Sequence, residues 1–143
     1  MSTFVDAAVS FIPYSPKKNE EYMNDAQRAH FRSILETWRK NLLTEAHSTL
    51  ETMRSSKEGL ADEVDVAAYE ENFRLELRAR DRELKLIRKI DMSIEALKEG
   101  EYGFCDDCGT DIGIARLEAR PTATKCVECK TIAELKEKQL INA

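Results

Sequence analysis

From Asn24 onward the apolar positions recur in steps of three and four: Phe31, Ile34, Leu35, Trp38, Leu42, Ala46, Leu50 and Met53. That spacing draws one apolar stripe along a helix. Asn24 is a suitable N-cap, and Gln27 stands where a capping box needs it. The pattern predicts a helix over 24–54, about 46 Å long at ~1.5 Å per residue. It stops at Ser55-Ser56-Lys57-Glu58-Gly59, where Gly59 can adopt the backbone conformation that ends a helix. It restarts near Asp62, a good N-cap. A second stripe passes through Val66, Tyr69, Phe73, Leu77, Leu84, Ile87, Ile90, Ile94 and Leu97, and runs out at Lys98-Glu99-Gly100. Two long amphipathic helices joined by a short turn bury their stripes against each other, so the expected element is an antiparallel hairpin. Aromatic residues make up only 7% of the chain and the stripes are narrow. The hairpin should therefore have little core beyond its seam and project as a finger.

Outside that pattern the chain reads differently. Residues 1–20 show no apolar period, and Pro13 and Pro16 break any helix, so an irregular segment is expected. Residues 21–100 form the hairpin, with its tip at about 55–66. Residues 101–143 form a compact cysteine-containing unit that closes with a short helix from Thr131 to Leu140. Composition agrees with this division. Charged residues are 34% of the 143, and five Gly with three Pro leave little material for many short strands. The net charge of −5 makes the chain a poor coat for nucleic acid, whose binding is driven by phosphate neutralisation. No apolar run approaches the ~18 residues of a membrane span. Met1–Ser15 carries no basic region ahead of its short apolar stretches, so a secretory signal is not expected. The chain is expected in the cytoplasm, where cysteines are thiols or metal ligands.

The four cysteines fall in two pairs, Cys105-Asp106-Asp107-Cys108 and Cys126-Val127-Glu128-Cys129. Two C-x-x-C pairs at this separation match a four-cysteine zinc site. Each pair supplies two thiolates from adjacent backbone, and four thiolates fill the tetrahedral shell of Zn2+, leaving no open position for catalysis. One structural zinc is expected, contributing on the order of 10 kcal/mol to folding. A lone C-x-x-C would leave a thioredoxin-type redox pair open. Two pairs without a βαβ pattern favour metal, with a zinc-thiol redox sensor as the alternative.

Charge is segregated along the chain. Glu58, Asp62, Glu63, Asp65, Glu70 and Glu71 occupy the finger's distal end with no base among them. Residues 74–89 hold Arg74, Arg78, Arg80, Arg82, Lys85, Arg88 and Lys89 against Glu76, Asp81 and Glu83, and 114–138 is again net basic. Helix capping accounts for acids at a helix start, and a solvated face accounts for the bases. The functional alternatives are a tip that reaches a metal or cationic centre in a partner, and a phosphate pocket shared with the cysteine unit. His30 and His47 read as ordinary helix residues, and Trp38 as seam packing. No nucleophile–base pair and no Gly-rich phosphate loop occurs, so the chain is not expected to be an enzyme.

Several stretches carry a resemblance: Glu20-Glu21-Tyr22-Met23-Asn24, His30-Phe31, Leu75-Glu76-Leu77-Arg78, Arg80-Asp81-Arg82-Glu83, Tyr102-Gly103-Phe104-Cys105 and Ile112-Gly113-Ile114. The most specific is Arg116-Leu117-Glu118-Ala119-Arg120-Pro121-Thr122-Ala123, leading into Cys126 and Cys129. Over about residues 20–140 the chain resembles the DksA/TraR family of bacterial transcription regulators. The resemblance implies a mainly α fold, with a long coiled-coil hairpin projecting from a small four-cysteine zinc-finger globular part with a C-terminal helix. It implies a monomer that binds RNA polymerase through the secondary channel and reads no DNA sequence. Binding would destabilise open promoter complexes, acting with ppGpp in the stringent response to repress ribosomal RNA promoters and aid some biosynthetic ones. The family's Asp-x-x-Asp-x-Ala tip falls on Asp62, Asp65 and Ala67, and its alarmone contacts fall on Arg82, Leu86, Lys89, Arg120 and Lys130. Glu63, Val66 and Ala115 depart from the family pattern, so a diverged paralogue that occupies the channel with altered regulation is the alternative.

Overall fold

The computed structural model describes residues 3–6, 9–58 and 63–142. Six elements follow in chain order: β1 (Thr3–Asp6), β2 (Val9–Phe11), α1 (Asp25–Glu58), α2 (Glu63–Glu99), α3 (Ile114–Ala119) and α4 (Val127–Asn142). The mainly α architecture holds, and the two long helices make the finger. At ~1.5 Å per residue, the 37 residues of α2 span about 55 Å. Arg39 Nε donates to Asp91 Oδ1 at 2.6 Å, and the Phe31 and Tyr102 rings lie 5.7 Å apart. As the α1 position advances, its counterpart recedes, which is the mark of antiparallel packing.

Two boundaries differ from expectation. Residues 1–20 were expected to be irregular, yet β1 and β2 pair antiparallel, Thr3 opposite Phe11, against α3 and α1. Three- and four-residue strands are too short to show a period of two. Helix α1 also runs on to Glu58 through the serines read as a stop. Gly59 and Asp62, the expected cap residues of the turn, lie outside the described residues.

The start of α1 is capped as its sequence suggests, with a shift of one residue. Gln27 N donates to Asn24 Oδ1 at 2.9 Å, while Gln27 Oε1 accepts from Met23 N, one position earlier than the standard box, at 2.7 Å. Asn24 Nδ2 also donates to Glu20 Oε1 at 2.8 Å.

The core sits where the finger meets the cysteine unit. Phe31, Ile34, Leu35, Trp38 and Leu42 from α1 pack with Ile87, Ile90 and Leu97 from α2, and Met23, Tyr102, Ile112 and Leu117 close the cluster. Farther out the seam thins. Leu50, Val66, Leu75, Leu77 and Leu84 are all exposed. Two helices alone cover only a narrow strip of each other, and among the described residues the third layer that completes burial lies at the base. Arg80 takes the seam position between Leu77 and Leu84, its guanidinium paired with Glu83 at 2.6 Å and Glu76 at 3.5 Å.

Gly103 joins the cysteine unit to the start of α1. Its φ is +93°, and a Cβ there would lie 2.9 Å from Met23 Cγ, so both conformation and space require glycine. Tyr22 Oη donates to Gly103 O at 2.7 Å and accepts from Gly113 N at 3.0 Å. Tyr102 Oη donates to Pro121 O at 2.7 Å, and its burial pushes the phenol far above its usual range.

Candidate metal centre and anion pocket

The two C-x-x-C turns come from different local structures. The first lies in a tight turn after Gly103, with Cys105 N donating to Thr110 O and Gly109 N to Cys105 O. The second straddles the start of α4, with Cys126 just before it and Cys129 in its first turn. The four Sγ atoms all lie within 4.8 Å of one another, and Cys108 Sγ is 3.7 Å from Cys126 Sγ. Tetrahedral zinc with Zn–S near 2.3 Å needs sulfurs about 3.8 Å apart, so the cluster fits that metal. Backbone amides of Cys126 and Cys108 hold the Cys105 thiol down to about 6, favouring the thiolate a metal needs. The neighbouring sulfurs of Cys126, Cys105 and Cys108 push the Cys129 thiol upward.

Beside the cysteines, α2, α3 and the segment 122–125 enclose a cavity of about 350 Å³. Lys89, Arg116, Arg120, Lys125 and Lys130 line it, and among the described residues no carboxylate does. Three of the five positions assigned to alarmone contacts therefore meet in one place. The other two do not line it: Arg82 is exposed and Leu86 half-buried farther along α2. They precede Lys89 by steps of four and three on one helix face, so the stripe leads up to the cavity. Across Met92, Ala123 and Thr124 lies a second cavity of about 300 Å³ with the opposite character, lined by Glu95, Glu99, Glu101 and Asp106.

At the other end of the finger, Asp65 and Ala67 are exposed in the first turns of α2, while Asp62 lies outside the described residues. About 36 Å of helix separates Asp65 from Lys89 at ~1.5 Å per residue. Tip and cavity are distinct sites.

Comparison with known proteins gives this arrangement a family. A family model described as the N-terminal domain of the DnaK suppressor protein DksA matches residues 27–97, and one for the prokaryotic dksA/traR C4-type zinc finger matches residues 100–135. The chain is 53% identical over 128 residues to the RNA polymerase-binding transcription factor DksA of Escherichia coli K12, covering 90% of this chain and 85% of that protein. The chain belongs to the DksA family. The relative in Buchnera aphidicola is 49% identical over 134 residues, covering 94% of this chain and 89% of its own. The solved structure of transcription factor DksA2 from Pseudomonas aeruginosa superposes with a TM-score of 0.76 at 40% identity, covering 82% of this chain and 90% of that one. This is a family of RNA polymerase-binding transcription factors with a C4 zinc finger, and zinc is its structural cofactor here. No helix among the described residues is long and apolar enough to cross a membrane.

Within the family framework, the structure adds residues that sequence reasoning missed. Arg116 and Lys125 line the cavity although the resemblance assigned neither. Both belong to the basic excess of 114–138, and Arg116 also opens the stretch that carries the family resemblance most specifically. His30, read as an ordinary helix residue, is paired: its Nε2 is 2.7 Å from Glu118 Oε1, which also accepts from Tyr14 N at 2.7 Å. Glu118 is buried and lies 88 residues from His30, a separation no local spacing reveals. His47 faces Glu51 one turn away on the exposed surface, in keeping with its plain reading.

Proposed function

We propose that this chain regulates transcription by inserting its finger into the secondary channel of RNA polymerase and destabilising open promoter complexes together with ppGpp. The supporting observation is a cavity lined by five cations and, among the described residues, no carboxylate, at the foot of a ~55 Å finger, in a chain 53% identical to an RNA polymerase-binding factor. Asp62 and Asp65 would perturb the polymerase active centre, with Ala67 kept small for close approach. Lys89, Arg120 and Lys130 would hold alarmone phosphates, with Arg82 and Leu86 extending the contact along α2. Lysine supplies point charges there and arginine a bidentate fork. The protein works in the cytoplasm as a monomer, reads no DNA sequence and is not an enzyme. Ribosomal RNA promoters are repressed and some biosynthetic promoters aided.

Run-off transcription from a ribosomal RNA promoter tests this, with purified polymerase and the zinc-loaded chain titrated with and without ppGpp. Repression that deepens with ppGpp is expected. Asp65→Asn should reduce repression about tenfold or more while polymerase binding stays within about twofold, since an exposed carboxylate contributes to the effect rather than to docking. Full repression by that variant would remove the tip from the mechanism. No repression by saturating wild-type chain, with polymerase binding intact, would identify a diverged channel occupant.

A further inference from the structure

The second cavity, of about 300 Å³, is built from the end of α2 and the turn that follows it. Glu95 and Glu99 come from the last two turns of α2, Glu101 from the residues after it, and Asp106 from the first cysteine turn. Among the described residues no lysine, arginine or histidine lines it, and Lys98 Nζ approaches Glu95 Oε2 only at 3.8 Å on the exposed surface. Capping explains acids at a helix start, but here the argument reverses: the C-terminal end of a helix favours cations. Glu95 and Glu99 are also like charges one turn apart, which repel. A bound cation would relieve both costs.

Ser93 points to the same occupant. It is 5% exposed, lines this cavity and not the basic one, and its hydroxyl has no hydrogen-bond partner among the described residues. Thr44, Thr52 and Thr131, by contrast, each return a hydroxyl to the carbonyl one turn back. A buried hydroxyl left open is costly, and its oxygen can accept from an N–H donor. Met92, 67% exposed, and Phe104, 36% exposed and set edge-on to the Tyr22 ring at 5.5 Å, add apolar surface. An aromatic face also attracts a cation. Only the four cysteines, among the described residues, bring three or more ligand atoms within 4.8 Å of one another, so these carboxylates do not converge in threes on a single metal ion. We propose that this cavity binds a linear aliphatic polyamine such as spermidine. Separated ammonium groups pair with the separated carboxylates, the Ser93 oxygen accepts from one N–H, and the methylenes lie against Met92 and Phe104. A concave pocket of this volume suits a small molecule. The site is distinct from the finger tip and from the basic cavity, and its reading depends on neither.

Equilibrium dialysis of radiolabelled spermidine against the full-length, zinc-loaded chain tests this, at ionic strength held constant with sodium chloride. One spermidine per chain should bind saturably, with a Kd below about 1 mM. Ser93→Ala changes no charge and suits a helix, and it should weaken binding about threefold or more. Glu99→Gln combined with Glu101→Gln should weaken it about fivefold or more. Glu134→Gln combined with Glu137→Gln removes the same charge from exposed positions of α4 and should leave binding within about twofold. All variants are compared at one zinc per chain. Equal weakening by the two double variants, or unaltered affinity in Ser93→Ala, would reduce the binding to general attraction by an acidic chain and overturn the proposal. Absence of saturable binding by the wild-type chain would overturn it outright. Capture of an arginine-rich peptide with no spermidine bound would overturn it as well, and would assign the cavity to a basic segment of a partner.

Discussion

Lys89 and Glu20 show how much a single side chain's surroundings decide. Lys89 projects into a cavity that holds four other cations, and it is exposed at the helix surface. Its loss leaves no buried group unpaired. Lys89→Ala should weaken the ppGpp response of the polymerase complex about tenfold, the order of one charge-assisted contact, with thermal unfolding unchanged. An unaltered ppGpp titration would exclude this cavity as the phosphate site. Glu20 is read by no motif chemistry, yet it gathers the Tyr14 hydroxyl, the Asn24 amide and the Lys17 N–H. Chiefly through Tyr14, these donors hold its carboxyl down to about 2. A carboxyl depressed in the folded state adds stability above its unfolded value near 4.5, and that share is lost as pH falls toward 2. Glu20→Gln should therefore destabilise at neutral pH and converge with wild type as pH falls from 4.5 to 2. Melting curves that stay a constant distance apart over that range would refute the assignment.

At the scale of the element, the finger is two structures in sequence. Near its base Ile90 is wholly buried, whereas Leu77 farther out is 42% exposed. Ile90→Ala should cost ~2–5 kcal/mol by urea unfolding, and Leu77→Ala less than about 1 kcal/mol. Comparable losses would mean that the distal seam packs as tightly as the base. The apolar period alone could not separate these two regions, because both halves carry steps of three and four. What separates them is the third layer, Tyr102, Ile112 and Leu117, contributed by residues remote in sequence. The C-terminal helix was legible from its composition, though it begins at Val127 rather than Thr131. Helix α3 was not foreseen: at six residues it is too short for a period to show.

For the whole molecule, the zinc unit is the foundation of the finger as well as a separate site. Tyr102 and Leu117 belong to the same core as Phe31 and Ile90, and Tyr22 ties the cysteine turn to the approach to α1. Removal of zinc, which contributes on the order of 10 kcal/mol at such sites, should therefore reach beyond residues 101–130. Amide exchange after chelation should quicken along 31–42 and 87–97 as well as in the cysteine turns, while the distal finger changes little. Faster exchange confined to 101–130 would show that the hairpin base stands by itself.

Local spacing alone was enough for two helices of about the observed length, the capped start at Asn24, the four cysteines as one metal set, and the reversal of charge between tip and base. Each is a local matter: periodicity, a cap and a C-x-x-C turn are all completed within a few residues. Packing set which cations share a cavity, that Arg116 and Lys125 join them, that His30 meets Glu118, and where the seam is buried. Those outcomes depend on how α3 and residues 122–125 dock against α2, and on a core layer assembled from distant positions. Spacing along a chain carries no record of distance across it, so only the packed molecule can show which charges stand together.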